Sequence, residues 1–226
     1  MQGQSTPKAR AVRRKTSTQE QPPAAASKRD RILDAAEQLF AEGGFDGVSM
    51  RDIAAQAGVG LPLIVYHFET KQRLYRALFE RFTALLDARL AALRAPLAPG
   101  ADPLEHIVRA FVQPVLQAQQ SKAGLAYAKL IAREVADPRE AGRGIVADYF
   151  DPFAVEFISA IRKALPQQSA DYAHWAYLFS VGALVMSVFD RRIERISGGE
   201  TAAGDLPHKT EHLVRFIIAG MRANAG

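Results

Sequence analysis

Apolar residues recur at helical spacing from Ser27 almost to the C-terminus, and nowhere do they alternate long enough to form a strand. Ser27 with Asp30 makes a capping-box-like start for a first helix, whose apolar face is Ile32, Ala36, Leu39 and Phe40. Gly43-Gly44 ends it, and Phe45 and Val48 should pack beneath it. Ser49 starts a short second helix that Gly58 stops, and a third ends near His67-Phe68. Thr70 then caps a longer fourth helix that carries Leu74, Leu78, Phe82, Leu85 and Leu86 and runs to about Arg94. Pro96, Pro99 and Gly100 break the pattern, and Asp102-Pro103 restarts it with a cap and a proline at the first helical position. Pro114 should kink or restart that helix. Further helices are expected over 124–136, over 142–165 with an interruption at Asp151-Pro152, from Ser169 to about Ile196, and over about 207–223. There is no hairpin signal and no internal repeat, so the fold class is all-α.

Composition narrows the picture. The 226 residues suffice for a small reader unit and one larger domain. No cysteine is present, which removes disulfides, thiolate metal sites and cysteine nucleophiles and fits a reducing cytoplasm. The basic, polar N-terminus lacks the apolar core of a secretory signal, and no run is expected to span a bilayer, so the reading is cytoplasmic with no membrane partner. The net charge of +5 is concentrated at one end: residues 1–31 hold eight basic groups against Glu20 and Asp30, which leaves the rest slightly negative. Residues 1–26, rich in Gln, Ser, Thr, Pro and Ala, read as a disordered basic arm. Such an arm fits either salt-sensitive phosphate contacts or a merely solvated tail.

The informative segment is Ser49–Phe68, SMRDIAAQAGVGLPLIVYHF. A helix-turn-helix folds two short helices tightly together. Ala54 is small where they approach, Gly58 supplies the positive φ of the turn, and Ile53, Val59 and Ile64 are apolar where the unit meets its support. An ordinary helical hairpin also uses alanine and glycine, but here a capped amphipathic helix precedes the unit and Tyr66-His67-Phe68 with Lys71 closes it. With Arg31-Ile-Leu-Asp-Ala-Ala, Leu39-Phe40 and Gly44-Phe45, residues 28–82 resemble the DNA-binding domain of the TetR/AcrR family of bacterial transcriptional repressors. The resemblance implies a homodimer on a palindromic double-stranded DNA operator, one three-helix domain per half-site, and a C-terminal domain that binds a small effector. It divides the chain into a reader with its connecting fourth helix (27–94) and an effector-binding and dimerisation domain (95–226). By position it puts Ser49, Met50 and Arg51 at the start of the second helix near phosphates, Gly60, Leu61, Pro62, Leu63 and Ile64 on or near the reading face, and Tyr66, His67 and Lys71 on the DNA backbone. The family often has polar residues where this chain has Gly60-Leu61-Pro62-Leu63, so base readout is expected to rest on apolar contact with thymine methyls and on DNA shape.

In the C-terminal half, two helices carry more apolar surface than one face can bury. Their residues Phe179, Leu184, Val188, Leu213, Phe216 and Ile217 are the expected dimer interface. An effector pocket is expected among residues 104–189, lined from Phe111, Tyr127, Tyr149, Phe150, Phe153, Trp175 and Tyr177, with Arg133, Glu134 and His174 as polar handles and a hydrophobic or amphipathic effector. His208-Lys-Thr-Glu-His212 reads H-x-x-E-H, the inverted zinc-protease pattern, but no third ligand is visible. No metal, no cofactor and no enzymatic activity is expected.

Overall fold

A computed structural model describes residues 27–223; the basic arm of residues 1–26 lies outside the described residues. Eleven α-helices, and no strand, occur among the described residues. The first four are α1 (Lys28–Gly43), α2 (Met50–Ala57), α3 (Leu61–Phe68) and α4 (Lys71–Arg81). Their starts follow the sequence signals. Ser27, Ser49 and Thr70 each accept a hydrogen bond from a backbone N–H in the following turn, and Ser49 with Asp52 closes a full capping box. Ile32, Ala36 and Phe40 are fully buried, and Phe45 stacks on Phe40 and meets the edge of Tyr75.

The fourth helix does not run through to Arg94. It breaks at Phe82 (φ −110°, ψ 11°), and α5 (Thr83–Arg94) follows. Phe82 stacks on Tyr127, with ring centroids 3.8 Å apart, and Thr83 Oγ1 donates to the Glu80 carbonyl at 3.2 Å. A long-range aromatic contact thus overrides a continuous helical period. The reverse holds at Pro114: α6 (Pro103–Ala118) passes through it, because Val112, Val115 and Leu116 are buried on both sides and outweigh one missing N–H.

α7 (Lys122–Ala136) is capped by Ser121. A π-helical turn (Val146–Phe150) leads into α8 (Asp151–Ala164), with Pro152 in its first turn. α9 (Tyr172–Phe189) is not capped by the Ser169 side chain, which donates to Asp171 Oδ1 instead, and it stops well short of Ile196. The cause is Asp190, whose carboxylate accepts from Arg192 N at 2.8 Å and from the Arg192 guanidinium, turning the chain into the short α10 (Arg192–Ile196). By length and composition α9 is apolar enough to cross a membrane, with a mean hydropathy of 1.4, which corrects the expectation that no such run exists. α11 (Leu206–Arg222) closes the fold against α6 and α9.

The reader helices are fastened to the body. α1 packs on α7, and Arg133 of α7 donates to the carbonyls of Ala41 (2.8 Å) and Glu42 (2.9 Å) at the C-terminal end of α1. Those carbonyls have no intrahelical partner, and the positive charge suits the negative end of the helix. Arg133 is therefore a structural clamp rather than an effector handle. Beside it, Tyr75 Oη donates to Glu134 at 2.9 Å, Arg143 Nε donates to both Glu134 oxygens at 3.0 Å, and Arg143 Nη2 reaches Asp137 at 2.8 Å. Burial and the adjoining Glu134 charge push the Tyr75 phenol far above its ordinary range, so it stays a donor. Glu134 is thereby withdrawn from any effector.

Glu37 of α1 is buried, and its Oε1 has no hydrogen-bond partner among the described residues. Burial raises its carboxyl to about 7, against an opposing pull from Arg81. Because the folded value lies above the unfolded one, protonation favours folding. The contribution is complete below about pH 4 and is lost as pH rises through 7. Unfolding free energy should fall by about 2–3 kcal/mol from this group between pH 5 and pH 8. Urea melts of Glu37→Gln should lack that slope; an unchanged slope would place the titration elsewhere.

Candidate nucleic-acid interface and internal cavity

The turn between α2 and α3 has the geometry that the spacing requires. Gly58 is left-handed (φ 63°, ψ 43°), its N–H returns to the α2 carbonyls, and Arg31 of α1 donates to the carbonyls of Ala57 (2.8 Å) and Gly58 (3.1 Å). Ile53 and Ile64 are fully buried and Ala54 nearly so, locking the pair onto α1. The exit from α3 uses no glycine. Glu69 adopts φ 59°, ψ −55°, and Thr70 N reaches back to the Phe68 carbonyl at 2.6 Å, a γ-turn of a kind that costs about 1–3 kcal/mol.

This packing sorts the expected contact residues. Ile64 is 0% exposed and cannot touch a base: its side chain holds α3 to the core, which corrects its assignment to the reading face. Leu61, Leu63 and Met50 are half-buried with part of their surface against the core. Ser49, Arg51, Gly60 and Pro62 are exposed, as is Tyr66 at 79%. His67 is half-buried, and its ring meets that of Tyr66 edge-on. Lys71 lies over the Phe45 ring, its Nζ 4.4 Å from the centroid, and desolvation lowers its pKa. Val65 joins the outward face, exposed beside Tyr66. The sequence reading omitted it, although the spacing Pro62, Val65, Tyr66, Glu69 is that of one helical face.

In the body, a cavity of about 220 Å³ lies among α5, α6, α7, α8 and α9. Phe111, Phe150, Phe153 and Tyr177 line it, as expected, but the other candidates are elsewhere. Tyr127 is buried against Phe82, Tyr149 lies under Arg76 at 5.2 Å, and His174 and Trp175 project from the outward side of α9. Each is drawn away by a partner or a helix phase that periodicity alone does not reveal. The missed residue is Arg89 of α5, on the cavity wall but N-terminal to the expected segment; no sequence signal distinguishes it from any other helix arginine.

The expected dimer residues are also re-sorted. Leu184 and Val188 face the cavity and Ile217 faces the core, all buried, and Leu213 is half-buried against the core. They are therefore removed from the outer surface. Phe179 and Phe216, of the same expected set, are exposed, together with Trp175, Leu178 and Met186 on α9. Of the H-x-x-E-H pattern, His208 and His212 sit together (Nε2–Nε2 2.9 Å), but Glu211 is held by Arg109 through two hydrogen bonds of 2.7 and 2.9 Å. No cluster of three metal-ligating side chains occurs among the described residues.

A glycine-turned helix pair with one outward face, mounted on a helical body with an internal cavity, defines a helix-turn-helix protein. The sequence profile of "Bacterial regulatory proteins, tetR family" matches residues 32–78, and that of "Tetracyclin repressor-like, C-terminal domain" matches residues 109–220. The chain belongs to the TetR/AcrR family of transcriptional regulators. It is 36% identical over 84 residues to the HTH-type transcriptional regulator RutR of Escherichia coli, a stretch covering 37% of this chain and 40% of RutR, so it aligns with about two-fifths of that relative's length. It is 26% identical over 169 residues to the HTH-type transcriptional activator FasR of Mycolicibacterium smegmatis, covering 73% of this chain and 71% of FasR. The structure of the fatty acid degradation regulator FadR from Bacillus halodurans superimposes with a TM-score of 0.62 at 17% identity, over 88% of this chain and 99% of that one, a likeness of fold. The matching relatives are transcription regulators, not enzymes.

Proposed function

We propose that the chain is a homodimeric repressor that reads a palindromic operator with α3 of each subunit and leaves it when a small, largely hydrophobic effector fills the cavity. The division into a reader over 27–94 and an effector-binding and dimerisation domain over 95–226 belongs to the same proposal. The observation that carries it is the outward face of α3, which exposes Pro62, Val65 and Tyr66 while Ile64 and Phe68 anchor the helix behind it. Two such helices about 34 Å apart would enter successive major grooves. Val65, Pro62 and the exposed parts of Leu61 and Leu63 suit thymine methyls, whereas Arg51, Tyr66, His67 and Lys71 suit phosphates.

Release follows the helix path. α5 lines the cavity through Arg89 and continues, across the Phe82 break, into α4, whose first turn follows α3 directly. An effector that displaces α5 re-aims α4 and changes the spacing of the two readers. The coupling requires the effector to favour the state that cannot span the operator.

Fluorescence anisotropy on DNA from upstream of the chain's own gene, against scrambled DNA across salt, tests this reading. Tyr66→Ala should weaken operator binding roughly tenfold without altering the salt slope, since Tyr66 is neutral and its removal leaves the core intact. Arg51→Ala should reduce that slope by about one ion. Equal binding to both DNAs, vanishing as salt rises, would sink the operator-reading proposal. An effector that tightens operator binding would reverse the sign of regulation.

A further inference from the structure

Arg89 is the anomaly of the cavity. Only 5% of the residue is exposed, its Nε has no hydrogen-bond partner, and among the described residues it makes no ion pair. The guanidinium instead lies over three phenylalanine rings, 4.6 Å from the centroid of Phe111, 4.2 Å from Phe153 and 5.9 Å from Phe157. Such contacts offset only part of the cost of taking a cation out of water. In the empty chain a methionine of similar length would be the more stabilising residue, so the arginine makes physical sense as half of a pair whose anion arrives from outside.

The rest of the wall fits that half. It is overwhelmingly apolar, formed by residues such as Val115, Phe150, Val181 and Leu184. Tyr177 also lines the cavity, and burial pushes its phenol up to about 12, so it remains a neutral O–H donor. Asp151 is the one carboxylate on the lining, in the exposed first turn of α8, and it forms no ion pair with Arg89. The aromatic faces that would cage an organic cation are already occupied by the guanidinium. Burial lowers Arg89 to about 10, which leaves it charged at neutral pH.

We infer that the effector is an amphiphilic organic acid, its anionic head paired with Arg89 and its hydrocarbon body filling the apolar cavity. The inference rests on the effector-cavity reading above and names the chemical class. It also supplies the trigger: the charge pair forms on α5, about two helical turns beyond the Phe82 break, so an anion pulls on the helix that continues into the reader.

Matched probes test it on the full chain by isothermal titration calorimetry: hexanoate, octanoate, decanoate, dodecanoate and 3-phenylpropanoate, each against its alcohol and its primary ammonium. At least one acid should bind roughly tenfold or more tightly than its own alcohol, and the ammonium should bind weakest. Arg89→Met should erase the preference for acid while retaining alcohol binding and raising the melting temperature of the empty chain; Arg89→Lys should keep part of the preference. Alcohols binding as well as acids, with Arg89→Met indifferent, would overturn the anionic class while leaving an apolar effector cavity in place. If no probe binds and none releases operator DNA, the anionic assignment falls together with the effector-cavity reading.

Discussion

Glu134→Ala should destabilise the chain by about 3–4 kcal/mol. Glu134 is almost completely buried, and two groups depend on it. The Tyr75 hydroxyl loses its acceptor, and the Arg143 side chain, itself only 7% exposed, keeps just the bond from Nη2 to Asp137. Removing one partner of a buried charged pair leaves the other uncompensated, which costs far more than the pair contributes when intact. Glu134→Gln keeps the shape and an acceptor for Tyr75, so it should lose less. Tyr75→Phe should lose only about 1 kcal/mol. Equilibrium urea unfolding checks all three. A loss under 1 kcal/mol for Glu134→Ala would mean that Asp137 and water satisfy Arg143 unaided. The network joins α4 to α7, so a destabilised Glu134→Ala chain should also bind operator less well.

The second large effect concerns assembly. Phe179 is 68% exposed and Phe216 71% exposed, on neighbouring helices, and with Trp175, Leu178 and Met186 they make an apolar surface that is left uncovered among the described residues. Pairing of α9 and α11 with the same helices of a second copy would cover it as a four-helix bundle. Phe179→Glu combined with Phe216→Glu would bury unpaired carboxylates in that contact, so the chain should run as a monomer at micromolar concentration. Operator affinity should then fall roughly a hundredfold or more, because the second half-site is no longer held at high effective concentration. Both side chains point outward, so the melting temperature of the monomer should not collapse for want of a core. Light scattering gives the mass directly. A mass unchanged by the double substitution would place the dimer contact on another surface, and binding of the unaltered chain to neutral lipid vesicles would mark the α9 face as a membrane surface instead.

Much of the architecture was legible without coordinates, for identifiable reasons. Ser27, Ser49, Thr70 and Asp102 mark helix starts because a cap is a contact between near neighbours. Gly58 marks the turn because one left-handed residue is required there. The readings that failed share another trait. Phe82 breaks a helix because Tyr127, distant in the chain, stacks on it. Arg133 looks like a ligand handle until Ala41 and Glu42 present their carbonyls to it. Ile64 looks like a reading residue until the phase of α3 is fixed against α1. For the candidate sites, the segment that reads DNA was legible, while the division of its residues between outward and inward faces was only partly so.

α9 shows the boundary most plainly. It is apolar around its whole circumference, so periodicity cannot say that Leu184 and Val188 face the cavity while Phe179 and Met186 face outward. By itself the sequence determined the all-α class, the helix-turn-helix segment, the family and most helix starts, because each depends on a few residues close together in the chain. Tertiary structure alone decided which apolar residues form the core, the cavity and the exposed face, and which charges are paired. Those outcomes depend on groups that come within hydrogen-bonding or van der Waals distance only once distant helices have packed, as when α5 brings Arg89 into a cavity built by later helices.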